Sequence, residues 1–419
     1  MTLDHQRTLL RLLGLFALSF FITAFVFNSP VELFEGYQRI LRSPSILITD
    51  YFVIGNIGSA FLNSSIMMSI GILLVLITKV KVTGSVVAAL FTVAGFALFG
   101  KNSFNIWPIF IGVFLYAKLQ REPFSKYVVL VLFATAFSPL VSQIAYGFKF
   151  DPLIALPLSY LLGIFAGFMF PPLAAHFVKF HQGYNLYNIG FTSGIIGMVF
   201  MALFRSFGLN NDPTFHVAEG NNLPIGIFLG LYFTGMLLIG LRMSPQLKTD
   251  LRKISQSSGK LGTDFFQEAG IGATLINMAL LGFMATGYIL VVQAELSGPA
   301  LGGIFTVVGF GAVGKQLKTT IPVILGVYIA TTINIWDTHA PSSVLAALFG
   351  TTLAPIAGVY GPVAGVIAGF FHMVVVMNVG VLHGGMNLYN NGFSGGFVAA
   401  VLVPILDAIR KPFIPLDTK

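Results

Sequence analysis

His181-Gln-Gly-Tyr-Asn185-Leu-Tyr-Asn188-Ile-Gly190-Phe191 returns late in the chain as His383-Gly-Gly-Met-Asn387-Leu-Tyr-Asn390-Asn-Gly392-Phe393. Over residues 181–194 against 383–396, 9 of 14 residues are identical without a gap. A unit that recurs at fixed spacing sets the architecture before any local pattern does. Two further matches lie upstream, at a shift of 214 instead of 202. Thr49-Asp50-Tyr51-Phe52 with Ile57, Gly58 and Asn63 corresponds to Thr263-Asp264-Phe265-Phe266 with Ile271, Gly272 and Asn277. Phe91-Thr-Val-Ala-Gly95-Phe96 with Gly100-Lys101, Pro108 and Gly112-Val113 corresponds to Phe305-Thr-Val-Val-Gly309-Phe310 with Gly314-Lys315, Pro322 and Gly326-Val327. The shift changes because the first half carries an insert around Tyr146–Pro152. The chain is a tandem duplication, residues 1–210 followed by 211–419.

Composition says what solvent the halves are built for. With 56% apolar residues, 9% charged residues and a mean hydropathy of +0.86, this is not a water-soluble domain. Apolar runs of about 17–25 residues recur along its length, enough to cross about 30 Å of hydrocarbon. The absence of Cys excludes disulfides, thiolate nucleophiles and thiolate metal sites. The formal net charge of +8 reflects Lys and Arg in short loops beside the spans, so it does not imply nucleic acid. Residues 10–28 end in Phe27-Asn-Ser-Pro30 without a small-x-small cleavage site and read as an uncleaved first span.

The expected spans are 10–28, 52–78, 83–99, 104–118, 127–147, 153–175 and 184–204, then 224–241, 266–293, 299–314, 319–335, 343–360, 361–381 and 386–406. Seven per half is odd, and an odd repeat places its second copy upside down. Basic residues agree. With the N-terminus inside, Lys79, Lys81, Lys118, Arg121, Lys126, Lys179, the run Arg242–Lys260, Arg410 and Lys411 all fall inside, and Asp212, Glu219, Glu295 and Asp337 fall outside. Lys101, Arg39 and Arg42 are misfits. The fold expected is an all-α polytopic membrane protein of two inverted-topology repeats. It would sit in the cell (inner) membrane with both termini cytoplasmic. The third and fourth segments of each half are short and Gly-rich, with Pro108 and Pro322 inside the fourth, so they cross fully or re-enter. Paired, interrupted segments of this kind point to a transporter's site.

The doubled signature is uncharged and rich in hydrogen-bonding groups, which suits a small polar solute. It also suits an ordinary helix start with capping Asn and His and an interfacial Tyr. On the first reading His181, Asn185, Tyr187, Asn188, His383, Asn387, Tyr389 and Asn390 line the site. Asn63, Asn277, Lys101 and Lys315 come second. The two lysines attract an anion if they tip re-entrant hairpins and are plain loop residues otherwise. Asp50 and Asp264 read most economically as N-caps. Glu268 and His372 lack a charged twin, their counterparts being Ile54 and Phe170. As an unpaired acid and histidine near the core they suit coupling to a proton or sodium ion; a Glu snorkelling near a span end is an equal reading of Glu268. No nucleotide-binding, metalloprotease or hydrolase motif occurs, and no catalytic residue, metal or cofactor is expected.

The whole chain resembles a family of uncharacterised bacterial multi-pass membrane proteins of about this length, which implies no activity. Gly183-Tyr184-Asn185 is similar to a turn in urea transporters, which also carry an inverted duplication. The second copy reads Gly385-Met386-Asn387, and no urea-site residue is carried over. Two inverted sevens also resemble the layout of uracil and sulfate/bicarbonate-type transporters, whose substrate lies between short third and tenth segments. The expectation is a secondary transporter for a small polar or anionic solute held between the repeats, partnered by lipid and a coupling ion, with a homo-oligomer left open. A facilitative urea-like channel is the alternative. A membrane enzyme or lipid-handling protein using His383, His372 and Glu268, or a structural membrane protein, ranks lower.

Overall fold

The computed structural model describes residues 3–212, 214–333 and 335–410. Lys411 lies outside them. The first half comprises α1 (Leu3–Phe27), α2 (Pro30–Leu41), α3 (Tyr51–Ile54), α4 (Ile57–Ile77), α5 (Gly84–Phe96), α6 (Trp107–Leu119), α7 (Val128–Ala134), α8 (Pro139–Ser142), α9 (Pro152–Phe177) and α10 (Asn188–Ser206). The second comprises α11 (Asn222–Arg242), α12 (Leu247–Gln256), α13 (Phe265–Glu268), α14 (Gly270–Val291), α15 (Gly298–Phe310), α16 (Leu317–Ile333), α17 (Pro341–Gly350), α18 (Ala354–Tyr360), α19 (Pro362–Val379) and α20 (Asn390–Arg410). The protein is an all-helical, multi-pass membrane protein. Among the described residues, ten helical segments are long and apolar enough to cross a bilayer, and four shorter apolar helices are α5, α6, α15 and α16.

The short helices hold the centre. At 13 residues, α5 and α15 are each about 20 Å long, well under the roughly 30 Å of a hydrocarbon core. Both are buried along nearly their whole length. They lie antiparallel and in close contact. A Cβ at Gly95 would sit 2.9 Å from the Gly302 carbonyl oxygen, and one at Gly309 would sit 3.1 Å from that of Ala88. Lipid tails supply no hydrophobic drive between helices, so backbone approach of this kind, through small residues, supplies the dispersion contacts instead. Each N-terminus is capped twice. Thr83 and Ser297 cap their own helices, and an aspartate from the other half adds a second acceptor. Asp50 accepts the Gly298 N–H at 3.2 Å, and Asp264 accepts the Gly84 N–H at 3.0 Å. Both aspartates also cap the short helices they precede, α3 and α13.

Two expected spans are broken. Residues 124–147 run as a 3-10 turn, α7, a 3-10 turn at Thr135–Phe137, α8 and a π-turn. Residues 341–360 run as α17, a 3-10 turn at Thr351–Leu353, and α18. At 83% buried they are the most enclosed of the ten long segments, as irregular backbone at membrane depth must be. Periphery is supplied by α1, α9, α11 and α19, whose outward faces present apolar side chains such as Leu18, Leu161, Leu231 and Phe371. They clip onto the interior at glycines. Gly112 on α6 and Gly167 on α9 interlock, as Gly326 on α16 and Gly369 on α19 do.

Outside the spans, Ser29 and Glu32 form a capping box on α2. Arg39, a misfit to the charge rule, donates to the carbonyls of Ile54 and Gly55 at 3.0 and 2.9 Å, so its position is set by capping the end of α3. The joint between halves is pinned by the bridge of Thr49 beside His216 and by the Ala218 N–H on Asp50.

Candidate functional site

The two copies of the signature meet at the middle of the molecule. Asn185 donates to the Gly392 carbonyl at 2.9 Å and Asn387 donates to the Gly190 carbonyl at 3.1 Å, a reciprocal pair between the halves. Each asparagine oxygen accepts the N–H of the following tyrosine, Tyr187 or Tyr389, and so fixes the chain just ahead of α10 and α20. Gly190 and Gly392 then touch. A Cβ on Gly190 would lie 3.1 Å from the Gly392 Cα, so only glycine lets the two turns approach.

This crossing brings Tyr187 and Tyr389 ring to ring, 4.7 Å between centroids. Phe310 packs edge-on to Tyr187 at 4.7 Å, and Phe96 packs edge-on to Tyr389 at 4.6 Å. Phe133 meets Phe310 at 5.5 Å and Phe349 meets Phe96 at 5.6 Å. Six rings in three equivalent pairs therefore form a plug. Edge-to-face geometry gives such pairs about 0.5–1.5 kcal/mol each beyond burial.

A cavity lies on each side of the plug. One, of about 430 Å³, is lined by Phe349, Leu388, His383, Asn390 and Asn391, together with Leu47, Ile48 and Arg205. The other, of about 330 Å³, is lined by Phe133, Leu186, Tyr187, Asn188 and Tyr389, together with Leu261 and Thr263. The linings correspond in part: Leu388 to Leu186, Asn390 to Asn188, Phe349 to Phe133, while both tyrosines line only the smaller cavity and His383 only the larger. The cavities meet opposite ends of α10, one at Arg205 and the other at Asn188, about 25 Å apart along the helix.

Lys101 and Lys315 flank the plug and are fully buried, so neither is a plain loop residue. Each follows a short central helix and lies over that helix's last phenylalanine, Lys101 over Phe96 at 5.2 Å and Lys315 over Phe310 at 5.3 Å. Their hydrogen bonds differ. Lys315 donates to the Tyr187 hydroxyl and to Thr351 Oγ1, and lies 4.5 Å from the Tyr187 ring. Lys101 makes one long bond, 3.4 Å, to the Leu132 carbonyl. The hydroxyl of Tyr389, which corresponds to Tyr187, turns instead to Thr92 at 3.2 Å.

The other expected site residues fall into two groups. Asn188 and Asn390 line the cavities while their oxygens receive the Nε2 of His181 and His383 at 2.9 and 2.8 Å. The Nδ1 of each histidine is buried without a partner. Asn63 and Asn277 line neither of these two cavities. Each amide donates to two carbonyls that close a short helix, Asn63 to Ala97 and Lys101 (both 2.7 Å), Asn277 to Gly311 and Lys315 (both 2.8 Å). His372 is buried, bonded to Asn391 at 2.9 Å and to Ser394 at 3.2 Å.

Glu268 corrects the expectation of an acid near the core. It is exposed, because it ends the four-residue helix α13 and turns back toward the Asp264 N–H. It stands beside Thr263, at the smaller cavity, whereas His383 lines the larger one, so the three residues His383, His372 and Glu268 do not form one constellation. Among the described residues no three His, Asp or Glu side chains are close enough to hold a metal ion.

Residues not anticipated are Phe96, Phe310, Phe133, Phe349, Thr92 and Thr351. A signal existed for the breaks beside them: Thr135-Ala-Phe-Ser-Pro139 and Thr351-Thr-Leu-Ala-Pro355 share a threonine four residues before a proline.

A doubled membrane bundle with a plugged centre is thus the class of protein this fold defines. The chain matches the family described as Protein of unknown function (DUF1576) over residues 29–206 and 243–408, and belongs to it. No curated protein and no solved structure matches the chain. The likeness to urea transporters therefore rests on Gly183-Tyr184-Asn185 alone.

Proposed function

We propose that this is a membrane transport protein, a secondary transporter that moves a small polar or anionic solute through the centre of two inverted repeats. The observation that carries the reading is the pair of cavities separated by the six-ring plug. Two half-paths built in part from corresponding residues and meeting at a closed centre are what alternating access requires, the site lying at the interface of the repeats. The antiparallel lie of α5 and α15 and the reciprocal caps at Gly84 and Gly298 support the inversion. The basic residues support an orientation in the cell membrane with cytoplasmic termini, the cavity beside Lys126 facing in and that beside Asp212 facing out.

The plug also favours a transporter over the channel alternative. A facilitative pore needs a continuous lumen, and the Tyr187–Tyr389 contact, 4.7 Å between centroids, narrows the centre where the repeats meet. Uptake of radiolabelled solutes into proteoliposomes, with and without a proton or sodium gradient, tests the reading. Accumulation against a gradient is expected. Strictly downhill flux at unchanged rate when gradients are abolished returns the channel reading, and no uptake of any solute removes transport altogether.

A further inference from the structure

Two lysines at the centre of a membrane protein demand an account of their charge. Moving an ammonium out of water is costly unless it is paired, and ionisable groups inside membrane segments mark function by default. Yet among the described residues every ion pair is peripheral: Lys126 with Glu122, Lys253 with Asp250, His339 with Asp337. No carboxylate reaches Lys101 or Lys315.

Their surroundings are nevertheless those of a cation. Lys315 faces two aromatic rings and two hydroxyl oxygens, all of which attract an ammonium. An ammonium has three donors and accepts nothing. Lys315 satisfies two of them with firm contacts, whereas Lys101 has only its 3.4 Å bond to Leu132. Lys101 also sits close behind the floor of the larger cavity. Gly100, its neighbour, packs directly on Leu388, which lines that cavity, and Phe96 beneath its ammonium packs on Phe349, which lines it too. Lys101 lines neither cavity itself, and it approaches the larger one through Gly100 on Leu388 and Phe96 on Phe349.

We infer that the solute is a small anion, with Lys101 its counter-charge in the conformation seen here and Lys315 the equivalent position held closed by Tyr187 and Thr351. This rests on the transport reading and names the solute class for it. The anion supplies the negative charge that the protein withholds. When it is bound at Lys101 the buried ammonium is paired, and when it leaves, the lysine turns to hydroxyls as Lys315 does. A protein carboxylate at either lysine would compete with the solute, which accounts for its absence. A neutral solute such as urea would leave both charges uncompensated.

Formate, acetate and nitrate serve as probes, with urea and glycerol as neutral comparators. Uptake into proteoliposomes is measured for the wild type, Lys101→Met, Lys315→Met and Lys101→Arg, each first shown to be monodisperse. At least one anion is expected to enter and urea to be excluded. Lys101→Met should lower anion uptake about tenfold or more, the loss of a charge-assisted hydrogen bond, with partial recovery in Lys101→Arg. Thermal stabilisation of the detergent-solubilised wild type by the same anions, and not by urea, gives a readout that needs no variant. If urea or glycerol enters and no anion does, the anion inference is overturned while transport stands. If the anions enter equally in wild type and Lys101→Met, Lys101 is not their counter-charge and the inference is likewise overturned. If nothing enters, the transport reading itself fails.

Discussion

The carboxylate of Asp50 accepts the backbone N–H of Gly298, a residue 248 positions further along the chain and in the other half. The same carboxylate receives the N–H groups of Phe52 at 2.8 Å and Ala218 at 3.0 Å. One side chain thus closes three segments: the start of α3, the joint between halves and the N-terminus of α15. Its negative charge also complements the positive end of the α15 dipole. Asp264 repeats the arrangement on Gly84.

Replacing Asp50 by Ala strands three backbone donors, those of Phe52 and Gly298 buried and that of Ala218 partly buried. The cost expected is about 2 kcal/mol or more, above that of a single lost cap. It is read as a lowered melting temperature of the detergent-solubilised protein. Asp264→Ala should cost less, because Asp264 is only half buried and its other partners belong to its own turn, Gln267 N–H and side-chain amide. Equal losses at the two positions would argue against Asp50 having the larger structural role.

Packing makes a second prediction. A Cβ at Gly326 would fall 2.0 Å from the Val366 carbonyl oxygen, whereas one at Gly14 meets nothing within 4 Å. Gly326→Ala must push α16 off α19 and should cost about 1–3 kcal/mol, as overpacking does. Gly14→Ala on α1 should be neutral or slightly stabilising, since alanine is the better helix former. Thermal melts of the two variants side by side check the contrast.

Much of this architecture was legible in the chain. The duplicated stretches could be read because the same residues do the same job twice: Asn185 and Asn387, Gly190 and Gly392, Asn63 and Asn277. Their purpose was less accessible. Asn63 and Asn277 could be read as lining residues or as helix–helix hydrogen bonders, and their amides close the short central helices, a partner choice that spacing does not encode. The plug was invisible for another reason. Among 42 phenylalanines, nothing in composition separates Phe96, Phe133, Phe310 and Phe349 from those facing lipid. Glu268 could be read from sequence either as interior or as lying near a span end, and the four-residue α13 carries it to the surface.

The signature histidine in the first half predicts a pH effect. Burial lowers the pKa of His181 from 6.5, and the hydrogen bond its ring donates to Asn188 Oδ1 only partly offsets this. The network assigns the neutral tautomer with the proton on Nε2, shared with Asn188 Oδ1, leaving Nδ1 with no partner should it gain a proton. In the unfolded chain the ring protonates near 6.5, in the folded protein at lower pH. Between those values the unfolded state binds more protons, so the stabilisation is full above about 6.5 and is lost as pH falls toward the folded value. Melting temperature should drop on acidification through that window, and His181→Gln should flatten the drop. An unchanged slope in the variant assigns the effect elsewhere.

The broken symmetry of the two tyrosines allows the proposed conformational cycle to be tested without naming a solute. In this conformation Tyr187 holds Lys315, while Tyr389 holds Thr92 and leaves Lys101 with its single long bond. Tyr187→Phe removes a bond to a charged group, worth about 1.5–3 kcal/mol, whereas Tyr389→Phe removes a neutral one, worth about 0.5–1.5. The first should depopulate this conformation far more than the second. The chain has no Cys, so a single introduced thiol reports each cavity: Ser342→Cys in the larger, Ser85→Cys in the smaller. With Tyr187→Phe, labelling by a hydrophilic maleimide should fall at position 342 and rise at position 85. With Tyr389→Phe both should stay near the parent values. Parallel changes at both positions would mean that the tyrosine only loosens the bundle, and the two cavities would then not be alternately exposed.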